Sequence, residues 1–345
     1  MAGPVTLSDV ARAAGVSLAT ASRAINGSAN RTVRPELRTR VLAAAARLRY
    51  TPDANAQAMA RGRTTTLGLI VHDISDPYFS AIAAGVTATA EHHGLVVTLT
   101  ATQHEAQREQ QFIEVLQSQR ARAIVIAGGR YDDNTSLASI SQALASYRAA
   151  GGTAALIGQP LLNINTVAID NRQGASDLAY AMSDLGYRRF GIIGGPPTHL
   201  TARDRRAGFQ QALTALGHRL EGPVVDSAFT RDGGYQGMLA LLHQAPHADM
   251  VFAVNDVMAV GAMAAARDSG RRVGHDIAIA GFDDIATLRD VSPPMTTVHL
   301  PLSELGRRVT ELALAEPTPE PTVVQIRGKV ILRDSTPARS PGHPE

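Results

Sequence analysis

The 345-residue sequence contains no cysteine and no tryptophan, and Lys329 is its single lysine. Without cysteine, the chain can form neither a disulfide framework nor a thiolate metal site. No apolar run approaches the length of about 18 residues that a membrane-spanning helix needs, and no charged segment leads into a signal-like apolar stretch. We therefore expect a soluble protein of the cytoplasm, with neither a cofactor nor a metal ion.

Basic residues are concentrated at the start of the chain. Residues 1–63 carry ten arginines against Asp9, Glu36 and Asp53, a net charge of +7, whereas the remaining residues carry 23 basic and 28 acidic groups, a net charge of −5. A small basic unit before a larger acidic one is typical of a polyanion-binding domain attached to a soluble core. The preference for arginine over lysine fits a GC-rich genome equally well, so only the segregation of charge points to nucleic acid.

Residues 5–27 have the pattern of two short helices. Thr6 is a predicted N-cap with Asp9 in the acidic position of a capping box, and apolar residues then recur at helical spacing until a glycine. Ser17 is the predicted N-cap of a second helix, which ends at Asn26. Two short helices joined by a tight turn with glycine predict a helix-turn-helix, whose second helix reads the major groove of DNA. A helical hairpin without this function has the same spacing.

The second predicted helix has one inward and one outward face. Its spacing turns Ala21 and Ile25 inward, and the outward residues are Leu18, Ala19, Ser22 and Arg23. A third helix is predicted from Pro35 to about Leu48, because proline suits the first turn and apolar residues follow at helical spacing.

From residue 67 onward, apolar segments alternate with stretches of helical period. The seven segments span residues 67–71, 95–100, 123–127, 154–158, 190–195, 250–254 and 277–282. Runs that are apolar on both faces predict buried parallel strands covered by helices. Because the span is long for a single sheet, we expect two α/β lobes with a ligand cleft at the carboxyl ends of their strands.

Four motifs together resemble the LacI-type (lactose/galactose-repressor) family of bacterial transcription regulators. They are T-L-x-D-V-A-x-x-A-G-V-S, A-T-x-S-R-x-I-N-G, a helix ending R-Y-x-P, and A-Q-x-M-A before the first core strand. The resemblance covers nearly the whole chain. It implies a sequence-specific regulator, a repressor, that binds a palindromic operator in double-stranded DNA as a homodimer and a small-molecule effector, a sugar, in the cleft. The chain lacks the apolar heptads that some members append to form tetramers, which favours a dimer.

The resemblance also implies the fold and the domains. The expected fold is α/β, with an N-terminal all-α helix-turn-helix head and a two-lobed, periplasmic-binding-protein-like core of parallel sheets. The expected domains are residues 1–52 for DNA binding, 53–66 for a hinge helix and linker, 67–335 for the core, and 336–345 for a disordered tail. Within the core, lobe 1 takes about 67–167 and 296–318, and lobe 2 takes about 168–295 and 319–335.

By the same resemblance, ten residues contact DNA. The base-reading positions are Leu18, Ala19 and Arg23, and a bidentate contact from Arg23 to guanine is worth about 1–3 kcal/mol of discrimination. The phosphate contacts are expected from Thr6, Ser17, Thr20, Ser22 and Asn26, with capping or packing as their other role. In the hinge, Asn55 and Met59 are expected on DNA, and Met59 stands where the family has an intercalating leucine. A plain linker is the alternative interpretation of this segment.

Seven residues match effector-pocket positions of the family. They are Asp73, Tyr78, Phe79, Arg205, Phe229, Asn255 and Asp283. An arginine fork beside an aspartate and an asparagine suits vicinal hydroxyls or an amide-bearing ring, and we expect these groups to find their partners only in a bound ligand. Core packing is the alternative role of Phe79 and Phe229. Three further residues are expected to be structural partners: Arg203, Asp256 and Asp284.

Other classes of protein are less consistent with the residues. His92 and His93 lack further ligands at metal spacing, the glycines of residues 191–195 lack the dinucleotide fingerprint, and Asp283 and Asp284 should point to opposite sides of a strand end. An enzyme is therefore not expected. A sugar transport receptor shares the two lobes, but the basic head and the missing signal segment argue against it. The sequence does not distinguish release from DNA by the effector from recruitment to DNA by the effector. Most sugar-responsive members of the family that the chain resembles are released by their ligand, which favours release.

Overall fold

The structure, a computed structural model, describes residues 5–26, 33–51 and 63–339. The chain divides into two compact units, with the boundary between Thr65 and Thr66. The predicted hinge helix, with Asn55 and Met59, lies outside the described residues. Among the helices of the described ranges, none is both long and apolar enough to cross a membrane.

The first unit contains three helices, α1 (Leu7–Ala14), α2 (Leu18–Asn26) and α3 (Pro35–Arg47). The predicted capping box of α1 is confirmed, because the Asp9 N–H donates to Thr6 Oγ1 and the Thr6 N–H donates to Asp9 Oδ2 at 3.0 Å. Gly15 ends α1 in the left-handed region at φ +63°. Nη2 of Arg40 on α3 donates to the Ala14 carbonyl at 2.5 Å, so the third helix fixes the turn between the first two.

The three helices enclose a small apolar core. Its buried members are Val10, Ala11, Ala14, Ala21, Ala24, Val41 and Ala44. The predicted inward position of Ala21 is confirmed, Ile25 is half-buried against the same core, and Leu18 on the opposite face is 52% exposed. The start of α3 at Pro35 is also as predicted, with the proline in the first turn, where no amide hydrogen is needed.

The second unit is built on two parallel sheets. The first has six strands in the order β11-β5-β4-β3-β1-β2, and the second has four in the order β7-β6-β8-β9. Each predicted apolar segment overlaps a strand, whereas β5, β7, β10, β11 and β12 lie outside those segments. The strands are β1 (Thr66–Val71), β2 (Val96–Ala101), β3 (Ala123–Ala127), β4 (Thr153–Ile157), β5 (Asn165–Ile169), β6 (Phe190–Gly194), β7 (Val225–Asp226), β8 (Met250–Ala253), β9 (Ala278–Ala280), β10 (Thr297–His299), β11 (Val323–Ile326) and β12 (Lys329–Ile331).

Helices cover both sheets, as the doubly apolar strands predict. They are α4 (Pro77–His92), α5 (Ala106–Ser118), α6 (Asn134–Ala149), α7 (Asn171–Asp184), α8 (Leu200–Ala215), α9 (Arg231–Gln244), α10 (Asp256–Asp268) and α11 (Leu302–Leu314), with a short 3-10 turn at Ala286–Arg289. Within the second sheet's core, Phe190 meets Phe209 edge to face, and Phe209 stacks on Phe252 at 4.7 Å between ring centroids. Large aromatic side chains of this kind supply much of the buried area of a core.

The chain passes between the two lobes three times. It leaves the first sheet after β5 for α7, returns between β10 and α11, and leaves again between β11 and β12. β11 pairs in parallel with β5 of the first sheet, while β12 pairs only with β10 in a separate two-stranded sheet. β10 itself adjoins the second sheet through bridges at Thr296 and His299.

These pairings correct two of the expected lobe boundaries. Residues 323–326 belong to the first lobe, although we expected 319–335 in the second, and residues 296–299 lie with the second lobe, although we expected 296–318 in the first. Both segments are short strands that occupy sheet edges. Their apolar pattern predicts a strand without indicating which of two available edges it joins.

The end of the chain is fixed as far as Arg339. The Tyr187 hydroxyl donates to the Pro337 carbonyl at 2.7 Å, and the Arg339 N–H donates to the Leu185 carbonyl at 2.7 Å. Thr336 is buried, with its hydroxyl 2.6 Å from that of Thr296. The prediction of a disordered tail from residue 336 is therefore wrong for residues 336–339, because these hydrogen bonds anchor them; the remainder lies outside the described residues.

Candidate functional site

α2 presents the predicted base-reading residues on its outer face. Leu18 and Ala19 are exposed, and Arg23 is half-buried. Nε of Arg23 donates to the Ala19 carbonyl one turn earlier, at 2.9 Å. In the free unit the Nε group of this guanidinium is thus held against its own helix.

The polar residues expected on phosphates bond to one another around α2. The predicted N-cap at Ser17 is confirmed, since its Oγ accepts from the Thr20 N–H at 3.2 Å and lies 2.8 Å from the Thr20 hydroxyl. At the other end, Nδ2 of Asn26 donates to Ser22 Oγ at 3.3 Å. Residues 5–26 and 33–51 carry seven arginines against Asp9 and Glu36, so this unit has the charge that a phosphate backbone attracts.

The second unit has a cavity of about 510 Å³ where the carboxyl ends of strands from both lobes meet. The first lobe contributes His72, Asp76, Tyr78, Phe79, His104, Gly128, Gly129, Ile157, Gly158 and Ile169. The second lobe contributes Asn171, His199, Thr201, Arg205, Phe229, Asn255 and Asp283. Six of the seven predicted effector residues therefore lie together.

Arg205 is the most strongly fixed polar group of the cavity. It is buried, and it donates to Asn171 Oδ1 at 2.8 Å, to the Val254 carbonyl at 2.9 Å and to Asp283 Oδ1 at 2.7 Å. Its guanidinium carbon also lies 3.8 Å from the centre of the Phe282 ring. The expectation that these groups find partners only in a ligand is therefore wrong for Arg205, because a buried guanidinium without partners would be too costly. The site is preformed.

The consecutive aspartates after β9 serve two different purposes. Both have positive φ, +122° for Asp283 and +60° for Asp284, an unusual conformation that turns their side chains apart. Asp283 pairs with Arg205, while Asp284 accepts from Arg333 Nη2 at 2.6 Å and pairs with His299. Burial raises the pKa of Asp283, and Arg205 opposes this rise. The predicted opposite orientation and the structural role of Asp284 are confirmed.

The other two residues assigned to structural roles also behave as predicted. Asp256 is buried at the start of α10 and accepts from the Ile285 N–H at 2.9 Å and the Thr297 hydroxyl at 2.7 Å. Arg203 on α8 pairs with Asp132 of the first lobe at 2.7 Å. Asn255 lines the cavity and also caps α10, because its Oδ1 accepts from the Met258 N–H at 3.0 Å.

Asp76, rather than Asp73, brings a carboxyl group to the cavity after β1. Asp73 accepts from the N–H and the hydroxyl of Ser75 and is not part of the cavity lining. Asp76 caps α4 by accepting from the Tyr78 N–H at 2.9 Å. Burial raises the pKa of Asp76 to about 7, partly offset by this hydrogen bond. The expected assignment of Asp73 to the cavity is therefore replaced by a role in the turn before α4, because Asp76, at the start of α4, is the aspartate that points inward.

Three histidines, which the sequence did not single out, form one wall of the cavity. The rings of His72 and His104 lie 5.2 Å apart, and His72 lies 6.4 Å from His199 of the second lobe. His199 stacks on Phe229 at 4.7 Å, and its Nδ1 accepts from the Ala202 N–H. Burial lowers the pKa of His199 to about 3 and that of His72 well below its usual range. These imidazoles are therefore neutral at pH 7.

The two lobes are joined across the cavity rim by the loop after β3. The Leu200 N–H donates to the Arg130 carbonyl at 2.9 Å, and the Asp132 N–H donates to the Thr198 carbonyl at 2.8 Å. A Cβ at Gly129 would lie 2.2 Å from Thr201 Oγ1, so only glycine permits this approach. The lobes are thus held together by backbone bonds as well as by the Arg203 ion pair.

The sequence analysis did not select Asp76, Asn171 or the three histidines as cavity residues. The Asp-Pro-Tyr order at the start of α4 is an N-cap signal that predicts where Asp76 lies. The histidines come from separate loops, and only the tertiary fold brings them together. Within the described ranges, no group of three or more His, Cys, Asp or Glu side chains is arranged to hold a metal ion.

Comparisons with known proteins agree with this architecture. Residues 6–53 match the family described as "Bacterial regulatory proteins, lacI family", and residues 179–336 match "Periplasmic binding protein-like domain". The HTH-type transcriptional regulator GalR of Salmonella typhimurium (strain SL1344) is 37% identical over 330 residues, 92% of each chain. The HTH-type transcriptional repressor CytR of Escherichia coli (strain K12) is 33% identical over 310 residues, 90% of this chain and 89% of CytR.

Solved structures show the same relationship. The Lac repressor dimer bound to operator and the anti-inducer ONPF has a TM-score of 0.82 at 26% identity, over 97% of this chain and 100% of that one. The transcriptional regulator CelR in complex with cellobiose has a TM-score of 0.70 at 30% identity, over 96% and 99% of the two chains. The chain therefore belongs to the LacI family of bacterial transcriptional regulators, with a helix-turn-helix DNA-binding domain before a periplasmic-binding-protein-like core.

Proposed function

We propose that this chain represses transcription by binding a palindromic operator as a homodimer, and that a sugar in the cavity between the lobes releases it. The observation that carries the proposal is the exposed outer face of α2, which rests on a capped and well-packed helix pair. A recognition helix needs such a rigid base to enter the major groove in one register. The protein would act on the DNA of the bacterial cytoplasm.

DNA reading is assigned to a small set of contacts. Arg23 is the only long polar side chain among the three base-reading positions, so it would donate to guanine, while Leu18 and Ala19 offer apolar contact to a thymine methyl group. The hydroxyls and amide of Thr6, Ser17, Thr20, Ser22 and Asn26 would bind phosphates. In the hinge, Asn55 and Met59 would contact the minor groove, with Met59 as the intercalating wedge.

The dimer is proposed to form through an apolar edge of the first lobe. β2 is the last strand of the six-stranded sheet, and Val96 and Leu99 on it are 67% and 37% exposed. Val115 on α5 of the same lobe is 48% exposed. An exposed apolar edge strand is a pairing surface, and a second copy is the occupant that a palindromic operator requires. The Lac repressor, a structural relative, is described as a dimer on its operator.

An uncharged sugar is the ligand that the cavity chemistry favours. Arg205 is neutralised by Asp283 at 2.7 Å, and the neighbouring imidazoles are neutral, so the site offers hydrogen bonds without a net charge for an anion. Phe229 and Tyr78 provide aromatic faces for the apolar side of a sugar ring. The relative CelR is described in complex with cellobiose, which is a sugar.

Release by the ligand would follow from its contacts with both lobes. A sugar bonded to Asp76 of the first lobe and to Arg205 or Asn255 of the second would favour one degree of closure over another. Only such a difference in affinity between two closures can shift the population of DNA-binding chains. The backbone hydrogen bonds of Leu200 and Asp132, which join the two lobes, would be strained or relieved when the closure of the lobes changes.

A gel-shift titration tests the proposal. The full chain would be titrated against palindromic DNA from upstream of its own gene, with and without a panel of pentoses and hexoses. We expect a discrete complex of two chains per operator that one or more sugars dissociate. Failure to bind any palindromic site at low salt would contradict the repressor function, and a stable complex that no sugar alters would contradict the sugar response alone.

A further inference from the structure

The three segments in which the chain passes between the lobes lie against one another. The first passage is at residue 170, the second at residues 300–301 and the third at residues 327–328. The N–H of Asp170 donates to the last carbonyl group of β11 at 2.9 Å, which fixes the first passage to the strand that leads into the third. A Cβ at Gly328 would lie 2.5 Å from Val298 Cγ1, so the third passage runs directly against β10, which leads into the second. The three joining segments therefore form one contiguous group.

Arg205 of the effector cavity is bonded to residues beside two of these passages. Its Nε donates to Asn171 Oδ1 at 2.8 Å, and Asn171 follows the first passage directly. Its Nη2 donates to Asp283 Oδ1 at 2.7 Å. The backbone of Asp283 is bonded to the second passage, because its N–H donates to the Val298 carbonyl at 2.9 Å and its carbonyl accepts from the Leu300 N–H at 3.2 Å. A change at the guanidinium thus reaches the joining segments through a single residue.

Asp284 holds the joining segments from outside the cavity. It is not part of the cavity lining, and its side chain is 4% exposed. Its carboxylate accepts from Arg333 Nη2 at 2.6 Å and lies 2.9 Å from His299 Nδ1. His299 ends β10 at the second passage, and Arg333 lies just after β12, the strand that follows the third passage. One buried carboxylate therefore fixes the strands of two passages to each other.

The two consecutive aspartates are held in a backbone conformation that side chains rarely adopt. The value of φ is +122° at Asp283 and +60° at Asp284. Residues held in such conformations are strained, and they cluster at ligand clamps and switch regions. Glycine at position 284 would relieve the strain but would remove the carboxylate that bonds His299 and Arg333. The strained conformation places one carboxylate in the cavity and the next among the joining segments.

We propose that Asp284 is a positioning residue that transmits the binding of the effector to the joining segments. A sugar that alters the Arg205–Asp283 pair shifts the backbone of Asp283. Because Asp284 is fixed to His299 and Arg333, this shift moves the second and third passages together. Without the Asp284 carboxylate, the shift is absorbed locally and the two binding sites lose their coupling. The inference rests on the proposed sugar response and concerns its regulation.

The first test needs no ligand. The chain has no cysteine, so Leu161→Cys in the first lobe and Leu239→Cys in the second, both at exposed positions, allow one spin label on each lobe. Double electron–electron resonance then gives the distribution of distances between the lobes, with the labelled full chain mixed into an excess of unlabelled chain. Asp284→Asn keeps the shape of the side chain and tolerates positive φ, so it removes mainly the charge. We expect a narrow distribution without this change and a broader one with it.

The second test measures the coupling between sugar and operator. Operator binding by the full chain is followed by fluorescence anisotropy while galactose, glucose, ribose and cellobiose are each titrated, and calorimetry measures the affinity for the sugar. We expect Asp284→Asn to keep both affinities within about twofold, while the ratio of operator affinities without and with saturating sugar falls about fivefold or more. A residue that only stabilised the fold would not change this ratio selectively.

Two further variants complete the design. Asp249→Asn is the matched control, because Asp249 accepts from the Arg189 N–H at 3.0 Å at the amino ends of β6 and β8, away from the joining segments. It should change neither the distance distribution nor the coupling. His299→Gln, at a half-exposed position, removes one of the two partners of Asp284 and should reproduce the broadening and part of the lost coupling. Thermal melting identifies a variant that fails to fold, and His299→Gln decides if Asp284→Asn does so.

The outcomes separate this inference from the proposed function. A distance distribution that is equally narrow in Asp284→Asn and His299→Gln overturns the role of Asp284, whatever the sugars do. A full sugar response in Asp284→Asn also overturns it and leaves the proposed repressor intact. If none of the sugars alters operator binding by the wild-type chain, the proposed sugar response fails and this inference fails with it, while operator binding still tests the rest.

Discussion

Replacing Arg205 by methionine leaves the Asp283 carboxyl buried without its counter-charge. The wild-type pair is joined at 2.7 Å, with the two side chains 3% and 7% exposed. Removing one partner of such a pair costs about 3–5 kcal/mol, because the remaining charge is buried and unpaired. For a core of this size each kcal/mol lowers the melting temperature by about 2–4 °C, so we expect a loss of about 6–20 °C.

The penalty should depend on pH and on Asp283 itself. Burial raises the pKa of Asp283 and Arg205 opposes the rise, so the pKa climbs further in Arg205→Met. The folded variant then holds a proton that the unfolded chain releases, and the loss of stability should shrink as the pH falls. The double variant Arg205→Met/Asp283→Asn has no buried unpaired carboxylate at this position, so its free energy of unfolding should recover part of the loss.

Urea and thermal unfolding followed by far-UV circular dichroism measure these differences, since the chain has no tryptophan for fluorescence. Arg206→Met is the matched control, because the neighbouring ion pair of Arg206 with Asp226 is partly exposed and worth about 0–1 kcal/mol. A loss in Arg205→Met no larger than that in Arg206→Met, or no recovery in the double variant, would refute the role of the buried pair. The Arg205 variant should also lose its response to sugar while still binding operator DNA.

Three further perturbations have defined outcomes. Arg23→Ala should lose about 1–3 kcal/mol of preference for operator over scrambled DNA but keep its salt-dependent affinity, as measured by fluorescence anisotropy; an unchanged preference removes Arg23 from base reading. Burial raises the pKa of Asp76 to about 7, so the free energy of unfolding should fall as the pH rises from about 4 to about 7. Asp76→Asn keeps the N-cap and should reduce this slope by up to about 1.4 kcal/mol per pH unit in unfolding titrations. Parallel curves for the two proteins would contradict this prediction. Leu99→Glu should halve the mass seen by sedimentation, and an unchanged mass excludes β2 from the interface.

The DNA-binding unit could be predicted almost completely from the sequence, because its structure is encoded locally. Thr6 and Asp9 form the capping box, Ser17 caps α2, and Ala21 faces the core, all at the positions that helical spacing predicts. In each case the residues that cooperate lie within four positions of one another. The same locality made the seven apolar strands recognisable.

Long-range arrangements could not be predicted in this way. Val323–Ile326 reads as a short strand, but its partner β5 is more than 150 residues away, and either lobe offers an edge. His72, His104 and His199 meet only after three loops are folded. The sequence also did not show that Arg205 already has hydrogen-bond partners within the protein, because Asn171 and Asp283 lie in distant parts of the chain.

The three chain passages between the lobes limit how the core can move. Compared with a single connection, three connections near residues 170, 300 and 327 restrict the relative orientations that the two lobes can take. A ligand that contacts both lobes would then act by favouring some of these few orientations over others, and its effect would depend on its difference in affinity between them.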